Sequence, residues 1–328
     1  MLRNFRIQAL LTLSTILFLS AAGAAQKAPK KQKADKEAAV GTPVLWNAGN
    51  IANRDLFSGP GSDEMKPDLS NITFIERDAA GHNKKYRIKD GAGHVWVAKL
   101  GSETRPETAA VRLLYGLGYE TEINYLVPEL TIPTIGTFKN VRLEARPDGV
   151  KRLDQWSWKQ NPFVGTNELQ GLEIMQVFMT NYDLLDMQNK VLKVKGPNGP
   201  ELHYIISDLG STFGRFGSNN LPIFFRLGRS DNNPRAWNKA KFIKGVKNGR
   251  IQFATTGMKS RALMKDVTIE QGRWLFDQLS KLSDAQLRDA YRAANFSPSE
   301  IDLLVAGTKR RIDELDRATS DRLAKNKK

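Results

Sequence analysis

Cysteine is absent from the 328-residue sequence, and histidine occurs only three times, at His82, His94 and His203. The absence of cysteine excludes disulfide bonds, zinc sites with thiolate ligands and catalytic cysteine nucleophiles. Because the three histidines are far apart in the sequence, we do not expect a histidine-rich metal site. The remaining composition, 40% hydrophobic and 26% charged, is that of a globular chain long enough for one large domain or two lobes.

Long apolar runs are also scarce, and the most pronounced one, Ile7 to Leu19, lies at the N-terminus. Arg3 and Arg6 precede this run, and the small residues Ser20–Ala25 follow it. This order is typical of a secretory signal peptide, which we predict over residues 1–25. The alternative, an uncleaved membrane anchor, is disfavoured because the run is short for a full span. We therefore expect an exported protein, in the bacterial periplasm or outside the cell, where a lack of cysteine avoids unwanted oxidation.

Acidic residues are outnumbered, and the formal charge of the chain is +15. Loss of Arg3 and Arg6 with the signal peptide would leave +13. Part of the excess lies in residues 26–42, which read as a basic disordered linker, and in a basic tail, 321–328. These segments favour solubility and weak contact with anionic surfaces. A sharper hypothesis is that the protein binds an anionic polymer or lipid headgroup.

The pattern of apolar residues predicts an α+β protein with a β-rich first part and a mainly helical second part. We place the first part at 43–147 and the second at 148–320. Strands are expected near 71–77, 84–90, 94–100, 125–132 and 138–144, hairpins over 191–207 and 242–253, and helices near 106–118, 166–180, 269–282, 283–294 and 297–317.

The stretch Tyr204–Gly214 carries the clearest chemical signal. An apolar strand delivers Asp208, and Leu209 and Gly210 follow it directly. A carboxylate between a buried strand and a glycine turn is well placed to hold a metal ion. An ordinary turn has the same pattern, so the meaning of Asp208 depends on the residues upstream.

Three upstream elements precede Asp208 in a definite order. Lys99 ends a strand, Glu107 lies in the first turn of the next helix, and Asp183 lies in a polar loop that also contains Gln188 and Asn189. Phosphoryl transfer uses a lysine for the phosphates, a carboxylate for the attacking hydroxyl, and further oxygen ligands for Mg²⁺. Each residue taken alone has a simpler explanation, and Asp183 in particular could be a helix-end cap.

The motifs Val97-Ala98-Lys99, Asn181–Asn189 and Ser207-Asp208-Leu209-Gly210 resemble those of the protein-kinase-like superfamily. The similarity is to its atypical branches, the HipA-type kinases and the phosphatidylinositol 3-/4-kinase-like enzymes. It covers roughly residues 70–215. The chain also resembles a group of uncharacterised exported bacterial proteins that combine a strand lysine, a P-E-x-A-A helix and an S-D-L-G-x-T-F-G turn.

This resemblance implies a two-lobed protein-kinase-like fold, with a small β-rich N-lobe and a mainly helical C-lobe, that binds ATP and Mg²⁺. It implies the following roles: Lys99 and Gly81 bind the phosphates, Glu107 pairs with Lys99, Asp183 is the catalytic base, and Asp208 and Asn189 hold the metal. The acceptor would be a protein, a lipid or a small molecule with a hydroxyl group.

The loop departs from the kinase pattern, so alternatives remain open at three positions. Asp186 could replace Asp183, Gln188 could replace Asn189, and Glu103 could replace Glu107. The irregular loop and the low ATP content expected outside the cytoplasm raise a second hypothesis. In that hypothesis the protein is a catalytically inactive pseudokinase that acts as a binding module of the cell envelope.

Overall fold

The computed structural model describes residues 40–78, 83–217 and 230–323. For residues 321–323 it describes the backbone only. Several of the sequence predictions fall wholly or largely outside these ranges: the signal peptide 1–25, the basic linker 26–42, the phosphate-loop glycine Gly81 and the basic tail 321–328. Within the described residues, no helix is both long and apolar enough to cross a membrane.

The first part of the chain is a five-stranded sheet in which all neighbouring strands are antiparallel. Its strands are β2 (Thr73–Asp78), β3 (Lys85–Lys89), β4 (Val95–Lys99), β5 (Asn124–Ile132) and β6 (Gly136–Ala145). They lie in the order β2-β3-β4-β6-β5. One face of the sheet has an apolar cluster of its own, which includes Ile88, Trp96 and Leu143.

Helix α1 (Thr104–Gly116) connects β4 to β5. It begins at Thr104 rather than at the predicted Pro106, because a proline is tolerated anywhere in a first turn, where no intrahelical N–H is needed. Its residues Ala110, Leu113 and Leu114 are almost completely buried. They belong to a second, larger apolar cluster that also contains most of the C-terminal helices.

A four-stranded sheet and the remaining helices form the second part. The sheet has the order β1-β9-β8-β7 and consists of β1 (Thr42–Val44), β7 (Lys151–Arg152), β8 (Asn189–Gly196) and β9 (Gly199–Ile206). The hairpin β10 (Ile243–Lys247) and β11 (Arg250–Phe253) was also predicted. The helices are α2 (Asn167–Phe178), α3 (Pro234–Lys239), α4 (Ile269–Leu279), α5 (Asp284–Arg292) and α6 (Pro298–Leu323).

These elements confirm the α+β class, with a β-rich first part and a helical C-terminal part. The predicted capping box of Ser297 and Glu300 is present, with Ser297 N donating to Glu300 Oε2 at 2.8 Å and Glu300 N donating to Ser297 Oγ at 3.4 Å. Helix α6 continues to Leu323 rather than ending at Arg317.

Strand β1 was not predicted, and it pairs in parallel with β9. The predicted first part of the chain, 43–147, therefore begins with a strand that belongs to the sheet of the second part. Leu45, Ile51 and Leu56 follow it and enter the larger apolar cluster beside α1. The N-terminal segment and α1 are thus held by the same core as the C-terminal helices.

Candidate functional site

Lys99 is the last residue of β4 and is only 6% exposed. Its backbone lies between Lys85 of β3 and Arg142 of β6, so three cations are in register across the sheet. Directly opposite residues on adjacent strands project to the same face, which places Lys99 and Arg142 side by side. Two buried cations in this position require carboxylates from other elements.

Three carboxylates surround the Lys99 ammonium group. Its Nζ lies 2.8 Å from Glu107 Oε2, 3.0 Å from Glu103 Oε2 and 3.7 Å from Asp208 Oδ1. Burial alone would lower the pKa of Lys99, but Glu107, Asp208 and Glu103 outweigh it and raise that pKa above its usual value. Lys99 is therefore a permanent cation at neutral pH.

Glu107 lies in the first turn of α1, and each of its carboxylate oxygens contacts a cationic side chain. Oε2 accepts the hydrogen bond from Lys99, while Oε1 lies 3.5 Å from Arg142 Nη2. The side chain is almost fully buried, and this burial raises the pKa of Glu107, although Arg142 and Lys99 act in the opposite direction. Glu107 and Glu103, the two candidates for the lysine partner, both contact Lys99, and Glu107 is the more deeply buried.

Arg142 joins this pair to a buried network that our sequence analysis missed. Its guanidinium also donates to Glu122 Oε2 at 2.9 Å and to Glu144 Oε2 at 3.0 Å. Arg152 contacts the same two carboxylates at 2.8 and 3.1 Å. The alternation of charged Arg142 and Glu144 with apolar Val141 and Leu143 was the available signal, because it places charges on the face that also carries Lys99.

The turn after β9 brings Asp208 to Lys99. Leu209 is fully buried, and Thr212 Oγ1 donates to the carbonyls of Leu209 at 2.8 Å and of Pro106 at 3.4 Å. The turn is therefore fastened to the first turn of α1. Gly210 is required for a different reason from the one the sequence indicated: its backbone is not left-handed, but a Cβ there would lie 2.5 Å from Glu103 Cβ.

The loop that contains Asp183 lies next to this turn, since Tyr182 N donates to the carbonyl of Ser211 at 3.2 Å. Asp183 Oδ2 accepts from Gln188 Nε2 at 3.1 Å, and Asp183 Oδ1 lies 2.5 Å from Lys259 Nζ. Among the contacts of the described residues, none joins Asp183 directly to Lys99 or Asp208. Lys259 lies 76 positions further along the chain, and nothing in its local sequence indicated this contact.

The three other polar residues of the loop have distinct environments. Asp186 Oδ1 accepts from Trp158 N at 3.1 Å, which is a structural contact, and Gln188 is bonded to Asp183. Asn189 is fully buried and donates through Nδ2 to the carbonyl of Trp156 at 3.0 Å. Its Oδ1 is buried and accepts no hydrogen bond from any described residue.

The oxygen atoms of Asn189 and Asp208 are donors of the type that Mg²⁺ binds. Asn189 Oδ1 is a buried oxygen without a described partner, and the Asp208 side chain is 42% exposed beside Lys99. The described residues contain no group of three or more histidine or carboxylate side chains able to enclose a metal by themselves. Mg²⁺ usually takes one or two protein ligands and completes its shell with phosphate and water, so a protein cage is not required.

Comparison with known proteins finds matches among the solved structures. No family model matches the chain, and no curated protein matches its sequence. Among the solved structures, the crystal structure of a Helicobacter pylori proinflammatory kinase, CtkA, matches with a TM-score of 0.46 and 12% sequence identity. The match covers 75% of this chain and 96% of that one.

Proposed function

We propose that this protein is kinase-like, binds ATP with Mg²⁺ and transfers phosphate to a hydroxyl group of an acceptor. The observation that carries the proposal is the position of Lys99 Nζ, 2.8 Å from Glu107 of α1 and 3.7 Å from Asp208 of the turn after β9. A buried lysine held by a helix glutamate beside a partly exposed carboxylate is the arrangement that phosphoryl transfer requires.

In this proposal, Lys99 binds phosphate oxygens of ATP, and Glu107 fixes the direction of its ammonium group. Phosphate oxygens would replace part of the negative charge that Glu103 and Asp208 now supply to Lys99. Asp208 and Asn189 would hold Mg²⁺, which neutralises charge on the phosphates when it is bound. Gly81, which lies in the sequence between β2 and β3 but outside the described residues, remains the predicted phosphate-loop residue.

Asp183 is the proposed catalytic base. Its carboxylate would accept the proton of the acceptor hydroxyl as the hydroxyl oxygen bonds to the terminal phosphorus and the bond from phosphorus to ADP breaks. Gln188 orients one carboxylate oxygen through its hydrogen bond at 3.1 Å. Lys259, now paired with the other oxygen, would have to turn toward the transferred phosphate to free the base.

The engagement of both Asp183 oxygens favours a second candidate function, the pseudokinase. A base that is held by Lys259 and Gln188 would bind acceptor hydroxyls poorly. The protein would then bind nucleotide without transferring phosphate and would act through its surface in the cell envelope, if it is exported as its N-terminal sequence predicts.

Incubation of the purified protein with ATP labelled at the terminal phosphate, with and without Mg²⁺, separates the two functions. The kinase proposal predicts label on the protein itself or on an added hydroxyl acceptor. The Asp183→Asn variant should reduce that labelling by about 100-fold or more, the usual contribution of a positioned base. Nucleotide binding without labelling would support the pseudokinase instead.

A matched control is Asp186→Asn, in the same loop. The carboxylate of Asp186 accepts from Trp158 N and has no role in the proposed transfer. Labelling that falls equally in both variants would mean that the loop is merely disturbed, and would contradict the assignment of Asp183 as base.

A further inference from the structure

A cavity lies beside the connection between β6 and β7. Its volume is about 390 Å³, which is within the usual range for small-molecule sites. Neither Lys99 nor Asp208 lines it. The cavity is therefore separate from the site around Lys99 at which we place the nucleotide phosphates.

One wall of this cavity is apolar. Ile123, Val150, Leu192 and Val194 contribute to it, and they come from β8 and from the segments flanking β5 and β7. These side chains are only partly buried by the protein itself. An apolar body of a ligand would cover them and gain free energy from the area removed from water.

Another part of the cavity lining is charged and rigid. Arg146 and Arg152 line it, and both guanidinium groups converge on Glu144 Oε1. Glu122 also lines it, is 3% exposed, and accepts from Arg152 at 2.8 Å. Glu122 also contacts Arg142, so its position is fixed, and it fixes the guanidinium group of Arg152 in turn.

Donors remain available on this wall. A guanidinium has five N–H groups, and the contacts of Arg146 with other described residues use Nη1 alone. Thr121, which also lines the cavity, has a buried hydroxyl oxygen with no partner among the described residues. A cavity that offers spare arginine donors and an unused hydroxyl beside an apolar wall suits a small organic anion.

The remaining charged groups at the cavity contact one another. His203 lies 2.8 Å from Glu120 and 2.9 Å from Glu201. Burial lowers the pKa of His203, but these two glutamates outweigh it and raise that pKa, which favours the protonated ring. Even with a protonated ring, the two glutamates leave this side of the cavity with one excess negative charge, so an anionic group would be received only at Arg146 and Arg152.

We propose that this cavity is a binding site for a small monoanion with an apolar, ring-sized body, whose charged group is received by Arg146 and Arg152. The proposal does not depend on nucleotide binding or on phosphate transfer at Lys99. It concerns a separate site that an effector or an acceptor of this chemistry would use.

The test compares two probes of the same shape, 2-naphthoate and the neutral 2-naphthamide, titrated into the purified full-length protein. Binding is followed by calorimetry or by ligand-observed NMR. Naphthoate should bind at least about tenfold more tightly than the amide, since only the anion gains charge-assisted hydrogen bonds. Equal affinities would overturn the anionic class, and no binding of naphthoate at millimolar concentration would overturn the site.

Four variants locate the binding. Val150→Trp and Val194→Trp fill the cavity from its apolar wall and should abolish naphthoate binding, whereas Val164→Trp, at a position that is 58% exposed, should leave it unchanged. Arg146→Gln should reduce naphthoate to the affinity of the amide. Undiminished binding in both filled variants would overturn the proposal, and if those variants fail to fold, the Arg146→Gln comparison decides it.

Discussion

At the scale of single residues, Lys99 keeps its charge in a nearly closed environment because carboxylates from separate elements face it. Glu107 comes from α1, Glu103 precedes that helix, and Asp208 comes from the turn after β9. Burial of a lone ammonium would favour its neutral form. The position of Lys99 is thus defined by the meeting of these elements rather than by β4 alone.

Arg142 is expected to be essential for stability, because its removal leaves Glu107, Glu122 and Glu144 buried with fewer cations. Arg142→Met should lower the free energy of unfolding by about 3–5 kcal/mol, the usual cost of breaking a buried ion pair. Chemical denaturation at pH 7 measures the change. The matched control is Arg87→Met, in the same sheet.

Arg87 pairs with Glu76 at 3.2 Å, but both side chains are largely exposed. Its replacement should cost less than about 1 kcal/mol. Equal losses for the two variants would show that the Arg142 network contributes no more than a surface pair.

Glu173 of α2 predicts a specific dependence of stability on pH. Burial raises its pKa to about 8 in the folded protein, although a hydrogen bond from Gln170 acts in the opposite direction. The unfolded chain therefore releases a proton between about pH 5 and pH 8 that the folded protein keeps, so this group makes the free energy of unfolding fall as pH rises through that window.

Glu173→Gln should remove this contribution. Relative to the unmodified protein, the variant should become progressively more stable between pH 5 and pH 8, by about 3–4 kcal/mol at the upper end. Urea denaturation across that range measures the difference, with exposed Glu270→Gln as the control. A constant difference at all pH values would contradict a buried, protonated Glu173.

Some site residues could be predicted from local sequence patterns, whereas others depend on the pairing of elements that are distant in the chain. Lys99, Glu107 and Asp208 were predicted because each follows a local pattern at the end of a strand or in the first turn of a helix. Lys259 was missed because its partner Asp183 lies 76 positions away in the chain, and Arg142 was missed because its place beside Lys99 depends on the pairing of β4 with β6. A charged residue that alternates with apolar ones usually faces water, and only the pairing of distant elements shows otherwise.

At the scale of elements, the turn after β9 and the start of α1 form one unit. Thr212 bonds to the carbonyl of Pro106, and Gly210 packs directly against Glu103. This contact fixes Asp208 relative to the helix that carries Glu107. The glycine in the turn therefore controls the geometry around Lys99 through close approach.

Gly210→Ala should disturb this unit, because the new Cβ would lie 2.5 Å from Glu103 Cβ. We expect a loss of about 1–3 kcal/mol in the free energy of unfolding, as for other overpacked sites. Since the clash involves Cβ atoms, the same change should cost less in a Glu103→Gly background. A double-mutant cycle measures this coupling, and additive effects would contradict the contact.

Most elements were predictable because their apolar periodicity and caps are local. Helix α5 begins after Ser283, and the hairpin β10–β11 turns at Asn248-Gly249, as their sequences indicate. Strand β1 was missed because three residues give no periodicity, and its pairing with β9 is distant. Helix α3 was missed although Asn233 and Pro234 are a recognisable cap and first position.

At the scale of the whole molecule, the candidate site lies between the five-stranded sheet and α1. Lys99 belongs to the five-stranded sheet, which has its own cluster, whereas α1, with Glu107, packs into the larger cluster of the C-terminal helices. The ion pair between Lys99 and Glu107 therefore joins the two. Substitutions in either cluster are expected to affect the site through this pair.

The nucleotide site at Lys99 and Asp208 is tested most directly by calorimetric titration of ATP into the purified protein with and without Mg²⁺. We expect Mg²⁺-dependent binding that weakens at least about tenfold in Asp208→Asn, since the proposed metal ligand is lost. Asp266→Asn, with a side chain that is 84% exposed and paired with Arg250 away from Lys99, should bind as the unmodified protein does. No Mg²⁺-dependent binding at millimolar ATP, or unchanged binding in Asp208→Asn, would contradict the assignment of Lys99 and Asp208 to a nucleotide site.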